Sequence, residues 1–229
     1  MTAPAALLDF PLLSPGLTDE QVVAGIEIAK RYGIASVTVR PCDVDLAVRS
    51  LQDSSVILAA VCGFPHGTQN TATKLFEARD LLRRGAKEIA AVIAIPRLLS
   101  REFQHVQSEL LQLAESCHRE SARLTTILEA GYLTEELKVI ACACCERAEV
   151  DMVCPSVSGH SIADLQLLRR HLPEETALQA AGGDTLDQVL ELQTLGCARI
   201  STTDPAPILD AYASIVTPET EPRPLGSGG

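Results

Sequence analysis

The sequence predicts an α/β fold, a single (β/α)8 TIM barrel covering about residues 6–215. Three observations carry that expectation. Eight short runs rich in aliphatic and β-branched residues recur along the chain, with amphipathic helical patterns between them. Several runs are continuously apolar, as in Val56-Ile57-Leu58-Ala59-Ala60-Val61, the pattern of a parallel strand covered on both faces. The length of 229 residues is one that a single barrel absorbs. A doubly wound open sheet is the alternative, but no Gly-x-Gly-x-x-Gly follows any strand.

The strands are expected at residues 6–10, 36–40, 56–62, 88–95, 125–129, 151–154, 177–180 and 198–202. Thr18 with Gln21 reads as a capping box that opens a helix ending near Gly33. Thr71 starts a helix through Leu75, Ala78 and Leu82 that stops at Gly85, and Pro96 opens a long one through His118. Thr134 caps a helix to about Arg147. Ser161 caps the next, with Pro173 beyond its end. Thr185 and Gln188 box a helix ending at Gly196, and Pro205 starts a short last one. Residues 216–229 turn to Pro, Glu, Gly and Ser and read as a disordered tail.

With four Phe, three Tyr and no Trp, aliphatic side chains must carry the core. Lys and Arg number 19 against 30 Asp and Glu, a net charge of −11, which argues against nucleic acid or an anionic membrane as partner. No apolar run approaches the roughly 20 residues of a membrane span. The first residues show neither a basic region nor a long apolar stretch, so no signal peptide is expected. Eight cysteines mostly replace Ala or Val in apolar runs, which fits buried thiols in a reducing, cytoplasmic setting. Cys142-Ala-Cys144-Cys145 has no matching pair nearby, so neither a metal nor any other cofactor is expected.

In such a barrel the active site lies at the C-terminal strand ends. That selects Asp9, Arg40 with Cys42, the loop from Cys62 to Gly67, Glu129, Cys154 with Ser156 and His160, Gln179, Gly182-Gly183-Asp184, and Ser201 to Asp204 with Thr202 between. Strand four offers only Ala90-Ala91-Val92-Ile93-Ala94-Ile95, with no polar group.

These segments carry a resemblance. Asp9 with Leu12-Leu13, Arg40-Pro41-Cys42, Gly63-Phe64-Pro65-His66-Gly67, Lys74 with Glu77-Ala78, Ile127-Leu128-Glu129-Ala130-Gly131, Gly182-Gly183 and Arg199-Ile200 resemble deoxyribose-phosphate aldolases in order and spacing. The similarity runs over about residues 7–208 and implies a class I aldolase ancestry on a TIM barrel. The resemblance also implies where catalytic groups should stand, and five of those places are changed. Cys154 takes the place of the Schiff-base lysine and Gln179 that of a second lysine. Ala90 stands for the catalytic aspartate, Thr125 for a strand-five lysine, and Phe10-Pro11 for a His-Thr pair.

The residues alone lead the same way. An imine-forming lysine must be desolvated at a strand end to lower its pKa. The chain has four lysines: Lys30 and Lys138 on outer helices, Lys87 entering strand four from below, and Lys74, one turn into a helix near the top. Lys74 is expected to pair with Glu77 or a strand-end carboxylate, so imine catalysis is expected to be absent. Phosphate binding is doubtful as well, because Asp184 and Asp204 stand in the loops that grip phosphate in many barrels. A carboxylate roughly 5 Å from a phosphate costs about 3 kcal/mol per unit charge at an effective dielectric near 20. Gly182, Gly183 and Thr202 remain as donors, and each aspartate could instead cap the following helix.

Two functional readings follow. The first is a repurposed lyase, isomerase or cyclase acting on a small unphosphorylated metabolite by acid–base chemistry. Glu129 is its first acid–base candidate, Cys154 and Asp9 follow, and Arg40, Cys42, Gln179, Gly182, Gly183, Asp184, Thr202 and Asp204 line the site. The second is a catalytically inert homologue that binds a metabolite or a partner protein. A polar, open mouth would favour the first and a plugged one the second. Asp9 and Arg40 are also candidates for a plain ion pair. The partners expected are a small molecule and, as an open option, a second copy of the chain.

Overall fold

Eight parallel strands close into a barrel in chain order, the last pairing with the first, in a computed structural model that describes residues 2–157 and 159–216. They are β1 (Leu8–Leu12), β2 (Ser36–Val39), β3 (Ile57–Cys62), β4 (Glu88–Val92), β5 (Arg123–Ile127), β6 (Met152–Cys154), β7 (Ala177–Ala181) and β8 (Arg199–Ser201). Closure comes from Leu8 opposite Ile200 and Asp9 opposite Ser201. Outside lie α1 (Asp19–Tyr32), α2 (Val44–Ser50), α3 (Thr71–Arg83), α4 (Ile95–Leu99), α5 (Phe103–Arg119), α6 (Glu135–Arg147), α7 (Ile162–His171), α8 (Leu186–Thr194) and α9 (Pro205–Val216).

The period of two along each strand sorts side chains to the two faces. Leu8, Val37, Leu58, Ile89, Leu124, Val153, Leu178 and Ile200 are buried on the helix side. Each contributes about 1.5–3 kcal/mol relative to exposure. The alternate positions turn inward, and there the barrel is polar: Asp9, Ser36, Thr38, Glu88, Thr125, Gln179 and Arg199 are all buried. At the lower end Glu88 accepts from Thr125 Oγ1 at 3.0 Å and lies 3.3 Å from Arg123 and 3.7 Å from Arg199. Arg199 in turn donates to the Ser36 hydroxyl, which links this cluster to the upper half. Buried polar groups persist in a lumen when they satisfy one another.

The expected caps form at Thr18, Thr134, Ser161 and Thr185, three of them as full capping boxes. Several boundaries differ from expectation. The helix expected from Pro96 through His118 is two helices, α4 and α5, interrupted where Arg101 adopts a left-handed φ of 60°. The chain turns there because Glu102 N–H bonds back to the Arg97 carbonyl and the Arg97 side chain reaches Glu102. Helix α3 starts at Thr71 as expected, capped by Asn70, whose Oδ1 accepts from Thr73 N–H. The short helix α2 was not foreseen. Strand four stops at Val92, short of residue 95. The tail expected at 216–229 lies, after Val216, outside the described residues.

Candidate functional site at the barrel mouth

A cleft opens at the C-terminal strand ends, where barrel active sites lie. Asp9, Pro11, Leu13, Thr38, Val61, Ala90, Thr125, Ile127, Cys154, Val157, Gln179 and Ser201 line it, with Glu88 at its floor. It is nearly filled. Only about 20 Å3 is open to the centre of a water molecule, room for roughly one or two waters.

The polar side of the cleft is a chain of hydrogen bonds. Gln179 Nε2 donates to Ser201 Oγ at 2.9 Å, and Ser201 donates to Asp9 Oδ2 at 3.1 Å. Asp9 Oδ1 accepts from Ser36 at 2.6 Å and from Thr38 at 2.8 Å. The expected Asp9–Arg40 ion pair does not form. Arg40 grips Asp43 at 2.5 Å and the carbonyls of Ser14 and Leu17, because the turn after β2 carries it away from the lumen. Cys42 on the same turn is exposed, 3.6 Å from Asp43 Oδ1. Neither borders the cleft.

Cys154 borders it and is 1% exposed. Its thiol donates to the Ser156 carbonyl at 3.4 Å, and burial pushes its pKa well above the ordinary thiol value. Such a thiol is a weak nucleophile at neutral pH. Glu129 stands just past β5 in a left-handed conformation, φ 49°. Its carboxylate accepts from Ser156 Oγ at 3.0 Å and Val157 N–H at 3.5 Å, so it holds the loop after β6 and does not itself line the cleft. His160 on that loop accepts from Ala181 N–H at 3.4 Å through Nδ1, and burial lowers its pKa.

None of the four lysines borders the cleft. Lys74 is fully buried, and its expected partner is replaced: Nζ donates to Glu109 of α5 at 2.7 Å and to the Val92 carbonyl at 2.8 Å. Glu77 instead accepts from Gly63 N–H at 2.7 Å and fixes the loop after β3. Gly67 in that loop has a φ of 63°, and a Cβ there would lie 2.1 Å from the Ile93 carbonyl oxygen, so only glycine fits.

A second cleft of about 170 Å3 adjoins the first and lies among the loops after β6, β7 and β8. The following donors of the loops after β7 and β8 are occupied from within the chain. Gly182 and Gly183 N–H, expected as ligand donors, both bond to the Ser201 carbonyl at 3.1 and 3.2 Å. Asp184 and Thr185 N–H bond to Gln188 Oε1. Thr202 N–H bonds to the Asp9 carbonyl, Asp204 N–H to Thr202 Oγ1, and Ala206 N–H to Asp204 Oδ1. Asp204 is thus a cap on α9. Asp184 is not a cap: its Oδ1 accepts from Thr203 N–H at 2.9 Å, Thr203 Oγ1 at 2.8 Å and Thr202 Oγ1 at 3.3 Å. The Thr203 N–H bond, with the two hydroxyls, holds its carboxyl below the ordinary range.

Several residues of the mouth escaped the sequence reading: Leu13, Thr38, Val61, Ile127 and Val157. Strand alternation was the available signal for Thr38, Val61 and Ile127. Leu13 and Val157 lie on loops and had none. Among the described residues no cluster of His, Cys, Asp or Glu could hold a metal ion, and no helix is long and apolar enough to cross a membrane.

A closed (β/α)8 barrel with a polar lumen and its cleft at the C-terminal rim places the chain in the TIM-barrel class, a fold that serves many functions. Residues 6–144 match the DeoC/LacD family of aldolases, and the chain belongs to that family. It is 33% identical to the deoxyribose-phosphate aldolase of Treponema denticola over 198 residues, 84% of this chain and 92% of that one. To the deoxyribose-phosphate aldolase of Rhodopirellula baltica it is 32% identical, covering 97% of this chain and 95% of the other. The structure of the tetrameric deoxyribose phosphate aldolase from Aeropyrum pernix superposes with a TM-score of 0.81 at 25% identity, over 93% and 92% of the two chains.

Proposed function

We propose that this chain is an aldolase-family barrel that has given up imine catalysis and phosphorylated substrates, and acts as a non-catalytic homologue binding a small metabolite or a partner protein. The observation that carries this reading is the position of the lysines. Imine formation needs an unprotonated amine within reach of a carbonyl carbon. Each of the four amines lies away from the cleft, and the most buried one donates to Glu109 and to a backbone carbonyl. At the mouth the corresponding place holds Cys154, whose thiol stays protonated. The volume of the cleft supports the same reading, since about 20 Å3 is far below the roughly 300 Å3 and more of ordinary ligand pockets.

The direct test is cleavage of 2-deoxyribose 5-phosphate, followed by acetaldehyde release in a coupled assay. No turnover above the uncatalysed rate is expected. Enzyme-dependent cleavage that scales with protein and survives repurification would overturn the reading.

One observation favours a second reading, acid–base chemistry on a small unphosphorylated molecule. The Asp9 carboxylate borders the cleft and is wired through Ser201 to Gln179. Under this reading Asp9, Glu129 and Cys154 remain the candidate groups, and substitution at Asp9 and Glu129 is the test.

A further inference from the structure

The loops after β7 and β8 form the place where many barrels hold a phosphoryl group, using backbone N–H groups, hydroxyls and a helix N-terminus. In this chain the donors are present, but they converge on a side chain. Thr203 N–H and Thr203 Oγ1 both point at one oxygen, Asp184 Oδ1, at 2.9 and 2.8 Å, and Thr202 Oγ1 lies 3.3 Å from it while also reaching the Asp204 carbonyl at 3.2 Å. An oxyanion oxygen is bound by the same kind of set: one amide and one or two hydroxyls within about 3 Å. The neighbouring glycine amides cannot substitute, because both are committed to the Ser201 carbonyl.

We propose that Asp184 is a resident anion that fills this oxyanion seat, and that it is the specificity-determining residue that keeps phosphoryl groups out. Exclusion works by occupancy of the donors, with charge repulsion secondary. The proposal rests on the reading of the mouth as closed to phosphorylated ligands and supplies its cause. It requires nothing of the lysines. Asp204 has a separate duty on Ala206 N–H and leaves Thr203 untouched.

Inorganic phosphate is the probe, titrated into the full chain while the Thr203 amide resonance and the heat of binding are followed. Wild-type protein should show no saturable binding at the Thr203 amide. Asp184→Ala, or Asp184→Gly should the first variant fold poorly, empties the seat and should raise phosphate affinity at least about tenfold, the gain expected when charge-assisted bonds become available. Asp184→Asn removes the charge but leaves an amide oxygen in the seat, so its affinity should stay at the wild-type level. Three results would overturn the proposal: saturable phosphate binding by the wild type, a folded Asp184→Ala or Asp184→Gly protein with no gain, or an Asp184→Asn gain equal to that of Asp184→Ala. A silent Asp184→Ala beside a silent wild type would defeat occupancy alone and leave the closed-mouth reading standing. Cleavage of 2-deoxyribose 5-phosphate by the wild type would defeat that reading itself.

Discussion

Asp9 holds two hydroxyls on one carboxyl oxygen and a third on the other, an arrangement that fixes its orientation in the wall of the cleft. Glu129 is equally constrained, but by the loop it supports. If a substrate is found, geometry gives Asp9 the better claim to proton transfer. Asp9→Asn keeps an acceptor oxygen for Ser36 and Thr38 but puts a donor where Ser201 donates, so the fold should survive with that one contact reversed while turnover falls by about 10²-fold or more, the range of general acid–base catalysis. Glu129→Gln should cost less and should raise mobility of the loop after β6. Unchanged turnover in Asp9→Asn, alongside a large loss in Glu129→Gln, would reverse the assignment. Asp9 was legible as a carboxylate of strand one, but it was expected at the strand's end and is instead the second residue of β1, which runs on to Leu12. Its partners were not legible, because Ser36 meets it through the β1–β2 register and Ser201 through barrel closure, 27 and 192 residues away along the chain.

Among the elements, α3, α5 and β4 meet at the Lys74–Glu109 pair, where Lys74 is 0% and Glu109 1% exposed. Lys74 also donates to the Val92 carbonyl at the end of β4, and Glu109 accepts from Thr71 at the start of α3. Removing one member of such a pair leaves a buried charge without its counterion. Lys74→Met should therefore lower the unfolding free energy by about 3–5 kcal/mol in urea titrations, the range for breaking a buried pair from one side. A loss under about 1 kcal/mol, the level of an exposed pair, would mean that water reaches Glu109 in the folded state. Lys74 stood out in the sequence as the lysine nearest the mouth. Its partner did not, since 35 residues separate the two and no periodic pattern links α3 to α5. The break between α4 and α5 was hidden for a related reason: no Gly or Pro marks residues 100–102, and a non-glycine residue adopts the left-handed turn.

At the scale of the whole molecule, the barrel was legible because its strands repeat an apolar pattern with helix caps between them, and each of those signals is local. The mouth was legible only in its outline. Strand ends could be located, but the lining of the cleft by Leu13 and Val157, and of the adjoining cleft by Asp184, depends on side chains brought together from distant segments. The central claim is that this aldolase-family barrel forms no imine. Its most direct measurement is a short borohydride pulse on protein saturated with acetaldehyde, read by intact mass and peptide mapping. We expect no saturable adduct, and any slow modification should be spread over exposed lysines. A stoichiometric reduced adduct that saturates with acetaldehyde and maps to one lysine, Lys74 above all, would contradict the account.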